Sequence, residues 1–174
     1  MKNIWLKYNK LIVAIFALLF VVIDQLIKLV VVQNMSLNET IPIINNVLHI
    51  TYVLNDGAAF SFLAGQAWIL CGLTSVFLVV LTIAYFHKKI SHPLIVSSLG
   101  LIISGGIGNL IDRFFRGAEL FYGKVVDYID FRIINFAVFN FADCCVCIGA
   151  ALMILYVIVY DKQNTPPQEV SADE

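Results

Sequence analysis

Apolar residues run almost without interruption through four stretches of this chain: Leu11–Val32, Ala67–Phe86, Pro93–Ile111 and Phe141–Tyr160. Their lengths, 22, 20, 19 and 20 residues, match the roughly 20 residues that a helix needs to cross the bilayer core. Polar residues crowd into the segments between them. The pattern predicts four membrane-spanning helices. Two connecting segments, residues 33–66 and 112–140, are long enough to carry structure of their own.

Charge sharpens this reading. The four stretches hold only three of the 23 charged residues, namely Asp24, Lys28 and Asp143. An unpaired charge in hydrocarbon is expensive, so the remaining 20 are confined to the connections and termini. Lys2, Lys7 and Lys10 precede the first span, and no Lys or Arg occurs in Gln33–Gln66. The bias places the N-terminus in the cytoplasm, and four spans return the C-terminus to the same side. The short link His87–His92, with Lys88 and Lys89, is then cytoplasmic. Against the bias, the second outer segment carries Arg113, Arg116, Lys124 and Arg132, which implies a local use for them. No small-x-small cleavage site follows the first stretch, so it reads as a retained anchor rather than a signal peptide.

The outer segments carry strand patterns. Asn55-Asp56-Gly57 lies between the runs Leu48–Leu54 and Ala58–Leu63, which predicts a hairpin turning at the Asp-Gly pair. Val125–Ile134 is rich in β-branched and aromatic residues and predicts a further strand. A small sheet on the outer membrane face, with an interfacial helix, is expected. The fold class is thus an all-α membrane protein with a small β element. Residues 1–160 form one membrane-embedded domain, and the polar tail 161–174, with Pro166-Pro167, is expected to be disordered.

Composition excludes several functions. The chain is 174 residues long, 60% hydrophobic and 13% charged, with a net charge of −1. That balance argues against a nucleic-acid partner. Cys71, Cys144, Cys145 and Cys147 all fall within spans and form no metal-ligand pattern, so they are expected to be small buried apolar groups. Gly100, Ser104 and Gly108, at four-residue spacing, predict a close helix contact.

The polar residues that remain converge. Asp24 lies about 20 Å along the first span, toward the outer face, and Lys28 follows at i+4, where the two can pair. Asn109 ends the third span on that side, with Asp112 and Arg113 just beyond it. Asp143 opens the fourth span, preceded by Asn140 and Asp127. No span contains a histidine, and there is no His-Glu-x-x-His or Gly-x-Ser-x-Gly motif, which disfavours zinc and serine hydrolysis. Carboxylates are left. Two aspartates held close share one proton, so that one activates water while the other polarises a carbonyl. Asp127 and Asp143 are the candidate pair.

The motifs that surround them resemble those of the bacterial lipoprotein signal peptidases, signal peptidase II. They are Asp24-Gln25-x-x-Lys28, Asn55-x-Gly57-Ala58-Ala59-Phe60-Ser61, Gly105-Gly106-Ile107-Gly108-Asn109-Leu110-Ile111-Asp112-Arg113, Val125-Val126-Asp127-Tyr128 and Phe139-Asn140-Phe141-Ala142-Asp143. They occur in the family's order across residues 24–143. Ile27, Ala137 and Cys144 depart from its usual residues.

The resemblance implies four helices with an outer β-cradle and a short interfacial helix. It also implies a metal-independent aspartic peptidase, without a cofactor, that cleaves prolipoprotein signal peptides before a diacylglyceryl-modified cysteine. It maps the catalytic dyad onto Asp127 and Asp143. The supporting set maps onto Asp24, Lys28, Asn55, Gly57, Asn109, Asp112, Arg113, Asn140 and Ala142. Within that set, Asn55, Asn109 and Arg113 would hold the substrate, while Asp112 and Asn140 orient their neighbours. The implied partners are lipidated prolipoprotein signal peptides and membrane lipids. The implied setting is the bacterial cytoplasmic (inner) membrane, with a monomeric enzyme working at its outer face. Two other readings compete: a small proton-coupled transporter with Asp24, Lys28 and Asp143 as a relay, and a non-catalytic assembly factor. Acids at one edge and the absence of an internal repeat weigh against the transporter.

Overall fold

The computed structural model describes residues 2–57 and 65–160. Helix α1 (Lys2–Asn34) leads into the strands β1 (Thr40–Ile44) and β2 (Leu48–Asn55). Helices α2 (Ala67–Phe86) and α3 (Pro93–Phe115) follow, then β3 (Val125–Phe131), a 3-10 turn (Arg132–Ile134) and α4 (Phe141–Tyr160). Four helices are long and apolar enough to cross a membrane, over Asn9–Asn34, Ala67–Phe86, Pro93–Phe115 and Phe141–Val159. The outward faces of these helices are lined with exposed Leu, Ile, Val and Phe, as a lipid solvent requires.

Helix α3 is the hub, because its glycines let three different helices approach. A Cβ at Gly100 would sit 2.5 Å from Val13 Cγ1 on α1, and one at Gly106 would sit 2.6 Å from Leu78 Cδ2 on α2. One at Gly108 would lie 2.6 Å from Asp24 Oδ2, and one at Gly105 would strike the Ala142 carbonyl of α4. The expected contact of Gly100 and Gly108 is thus with α1, while the glycines between them serve the other two helices. At the other end Lys10 Nζ donates to the carbonyls of Tyr85 and His87, at 2.6 and 2.9 Å, capping the C-terminus of α2.

Two expectations need correction. Helix α3 runs past Ile111 to Phe115, so Asp112 and Arg113 lie within it rather than beyond it. Both are buried and both are paired, and their charges therefore give the helix no reason to stop. A hairpin that the sequence pattern does not anticipate turns between β1 and β2, one element before Asn55-Asp56-Gly57, where Asn46 adopts a left-handed φ of 59° and Val47 N–H bonds the Ile44 carbonyl at 3.0 Å. The anticipated second arm, Ala58–Leu63, lies outside the described residues. Finally, Cys71 and Cys145 are buried, but Cys144 is half-buried and Cys147 is exposed on the outside of the bundle.

The sheet is antiparallel with order β1-β2-β3, and β3 ends at Phe131 where the 3-10 turn begins. A register shift between Ile50 and Val53 bends β2 midway along its pairing with β3. Tyr52, Val126 and Tyr128 pack on Val31 of α1, which seats the sheet on the end of the bundle where α1 finishes and α4 begins. The polar tail 161–174 lies outside the described residues.

Candidate active site

Asp143 belongs to the first turn of α4, and that turn is built by capping. Asn140 is the N-cap: its Oδ1 accepts the Asp143 N–H at 3.0 Å, while Asp143 Oδ2 accepts the Asn140 N–H at 3.1 Å. This reciprocal pair is a capping box with Asn and Asp in its two roles. The two N–H groups between them also find partners. Phe141 N–H bonds the Tyr128 hydroxyl oxygen at 3.2 Å, and Ala142 N–H bonds Asp24 Oδ1 at 3.0 Å. The free donors of the helix start are thus met by a strand, by another helix and by the cap itself.

Asp127 comes from β3, paired opposite Val53 of β2. Its Oδ1 accepts from Asn140 Nδ2 at 2.6 Å and its Oδ2 from Asn55 Nδ2 at 2.9 Å. Asp143 Oδ1 accepts from Asn109 Nδ2 at 2.7 Å. Asn140 therefore touches both aspartates, and its amide also donates to Asn109 Oδ1 at 3.1 Å. Burial is the largest influence on Asp127, and the charge of Asp143 adds to it. Together they raise the Asp127 carboxyl to about 6, against the pull of the Asn55 and Asn140 hydrogen bonds and of Lys28. Burial likewise raises the Tyr128 phenol, so it stays a neutral hydroxyl.

Below the aspartates lies a fully buried ion cluster. Lys28 Nζ reaches Asp24 Oδ2 at 2.9 Å, Asp112 Oδ2 at 2.8 Å and Asn109 Oδ1 at 2.9 Å, using all three of its donors. Asp112 further accepts from Arg116 Nε at 2.7 Å and from the Val126 N–H at 3.2 Å, tying α3 to β3. Gln25 Nε2 bonds Asp24, Asp112 and the Gly108 carbonyl at 3.0–3.2 Å. Because Lys28 engages the oxygen of Asn109, the nitrogen of that amide is left to face Asp143. Four acids (Asp24, Asp112, Asp127, Asp143) meet three bases (Lys28, Arg113, Arg116) in this region.

The basic residues of the segment 112–140 find partners nearby. Arg113 Nη2 donates to the Gly57 carbonyl at 3.0 Å, pinning the end of β2 over the site. Arg116 holds Asp112, Lys124 lies 3.4 Å from Asp56, and Arg132 bonds Asp130 at 3.0 Å. Each positive charge is thus spent locally rather than on membrane orientation.

The candidate dyad and its supporting set fall into one connected network. Gly57 contributes its carbonyl to Arg113 and its N–H to Asn55 Oδ1, at 2.9 Å, and Ala142 contributes its N–H. Asn55 and Asn109, expected to hold substrate, engage the aspartates themselves. Gln25, Arg116 and Tyr128 were not anticipated as parts of the site. The signal for Gln25 was its place beside Asp24 in the first motif, and for Tyr128 its place after Asp127. Ala58, Ala59, Phe60 and Ser61 of the second motif lie outside the described residues. Among the described residues no three His, Cys, Asp or Glu side chains converge as a metal site.

Residues 16–159 match the family described as signal peptidase (SPase) II. The chain belongs to that family. It is 45% identical over 150 residues to a lipoprotein signal peptidase of Halothermothrix orenii, covering 86% of this chain and 97% of that one. It is 39% identical over 147 residues to one from Halalkalibacterium halodurans, covering 83% and 90%. A third, from Desulfitobacterium hafniense, is 41% identical over 144 residues, covering 82% and 89%. A bacterial membrane enzyme solved by the in meso method at 2.3 Å superposes with a TM-score of 0.77 at 29% identity, over 92% of this chain and 93% of that one. A second, at 1.9 Å, gives 0.73 at 28% identity, over 87% and 93%. Signal peptidase II is a family of aspartic peptidases, so the chain is a membrane-spanning hydrolase.

Proposed function

We propose that this protein removes the signal peptides of prolipoproteins by aspartic catalysis, with Asp127 and Asp143 as the catalytic dyad. The observation that carries the reading is Asn140, which bonds Asp127 through its side chain and Asp143 through both its side chain and its backbone. One aspartate, ionised, takes a proton from water as the water attacks the scissile carbonyl. The other, protonated, donates to the carbonyl oxygen. The resulting diol collapses, and the departing amine takes back a proton. Lys28, Asn109, Asn140 and Asn55 act as positioning residues, holding the two carboxyls at fixed rotamers. Asp24 and Asp112 hold Lys28, while Arg113 and Gly57 keep the end of β2 in place.

The setting follows from the substrate class. A prolipoprotein signal peptide is itself an apolar helix whose lipidated cysteine lies at the outer boundary of the cytoplasmic membrane. A dyad at the outer ends of α3 and α4, working as a monomer, reaches that bond without withdrawing the substrate from lipid. The test is cleavage of a diacylglyceryl-modified prolipoprotein by the purified protein in detergent. Turnover should persist in EDTA and vanish in Asp127→Asn and in Asp143→Asn. Wild-type turnover in either variant sinks the dyad.

A further inference from the structure

The end of the bundle away from the aspartates holds a cavity that catalysis does not use. Helices α1 and α2 are joined there at Lys10: its Nζ donates to the Tyr85 and His87 carbonyls, and the Tyr85 hydroxyl donates back to the Lys10 carbonyl. Beside this joint a cavity of about 220 Å³ lies between the two helices, with α3 as its third wall. It is lined from Ala14 to Val21 on α1, from Gly100 to Ile107 on α3, and by Tyr85 and Phe86 on α2. The lining is almost wholly apolar, and the Ser104 hydroxyl within it is turned onto the Leu101 carbonyl at 2.8 Å.

Size and charge identify the occupant. Seven residues of helix along each long wall give the cavity a length of about 10 Å. A space of that length and volume is too narrow for a helix about 10–12 Å across, and it fits within one leaflet of a hydrocarbon core about 30 Å thick. An extended hydrocarbon chain has the right shape. The mouth carries charge of one sign. His87-Lys88-Lys89 directly follow Phe86, with both lysines exposed, and Lys10 lies one turn before Ala14 with two of its three donors used. No Asp or Glu occurs in residues 1–23, 57–111 or 144–160, so among the described residues no acid neutralises this end.

We propose that this corner binds an anionic phospholipid, with one acyl chain in the cavity between α1, α2 and α3 and the phosphate at Lys88 and Lys89. Basic pockets between spanning helices hold anionic head groups by the same chemistry. The lipid then fills the gap between α1 and α2 and adds to the joint at Lys10. A lysine near the membrane surface favours an anionic lipid by roughly fivefold, so the pair predicts a preference of at least about tenfold over a zwitterionic lipid. This inference rests on the spanning arrangement of the helices and not on the dyad.

The test is native mass spectrometry of the full chain in detergent, titrated with phosphatidylglycerol or with phosphatidylcholine carrying the same dioleoyl chains. The parent should hold one phosphatidylglycerol at least about tenfold more tightly than phosphatidylcholine. Lys88→Gln with Lys89→Gln should abolish that preference. Ala17→Phe, which fills the cavity from α1, should weaken phosphatidylglycerol binding at least as much while leaving the lysines in place. Equal affinity for the two lipids in the parent overturns the site. Phosphatidylglycerol binding that survives Ala17→Phe also overturns it, because the lipid is then held by surface charge and not by the cavity. Thr82→Phe fills the same cavity from α2 and decides the matter if Ala17→Phe fails to fold. The readout is the mass of bound lipid, so an inactive dyad leaves it unchanged.

Discussion

Asp24 of α1 accepts the Ala142 N–H of α4 at 3.0 Å, across a sequence separation of 118 residues. An acid one helix away thus completes the first turn that presents Asp143. Its other oxygen holds Lys28, and Gly108 leaves it just enough room. Asp24→Ala removes a helix cap and leaves a fully buried ammonium short of one counter-charge. Loss of one partner of a buried pair costs about 3–5 kcal/mol, so the variant should unfold many degrees lower in detergent. Asp24→Asn retains an acceptor and should lose less stability, and calorimetry on the two proteins separates capping from charge.

Tyr128→Phe isolates a smaller contribution. The ring stays on Val31 and Tyr52, and only the oxygen that accepts the Phe141 N–H disappears. A single cap of this kind is worth about 1 kcal/mol. We expect a modest fall in melting temperature and a kcat reduced by a few-fold with KM unchanged. A kcat equal to that of the parent would show that the α4 start holds its place without this bond.

Acid–base behaviour follows from Asp127. Burial and the Asp143 charge put its carboxyl at about 6, and the proposed dyad requires one proton on the pair. Activity should therefore fall as pH rises above about 6, with the limb reporting the pair rather than one residue. Asn55 donates to Asp127 and favours its ionised form. Asn55→Ala removes that donor, so the limb should move to higher pH even as the maximal rate drops. A shift to lower pH would contradict the assignment.

Gly105→Ala tests spacing rather than chemistry. The added methyl would strike the Ala142 carbonyl and lie 2.8 Å from Val146 Cγ2, forcing α4 away from α3. Asn109 on α3 and Asp143 on α4 are 2.7 Å apart, a distance such a shift cannot preserve. Misplacement by about 1 Å can cost about 100-fold in rate. The variant should keep most of its helical circular dichroism while losing turnover by that order.

The spans could be read in the sequence because hydrocarbon tolerates so few charges, and Asp24–Lys28 could be read because i+4 spacing puts them on one face. The length of α3 could not. Asp112 and Arg113 look like a boundary in one dimension, and only their partners Lys28, Arg116 and Gly57 make them tolerable inside a helix. The hairpin between β1 and β2 turns at Asn45-Asn46, a weaker local signal than the Asp-Gly pair at 56–57, and the continuation of β2 to Asn55, which brings its amide to Asp127, is a matter of pairing with β3 rather than of local signal. The cap from Asp24 to Ala142 had no local signal at all, being a contact that only the packing of α1 beside α4 creates. Chemistry-bearing residue types were legible; which atom each one holds was not.

The ion cluster also bears on how the chain is made. Lys28 must enter the bilayer before Asp112 exists, since 84 residues separate them. At ordinary elongation rates that interval is on the order of ten seconds. During it the nascent first helix carries its own counter-ion, because Asp24 lies one turn away and pairs with Lys28 without help. The i+4 pair thus acts as a travelling escort for a charge, keeping α1 insertable until α3 arrives with the permanent partner.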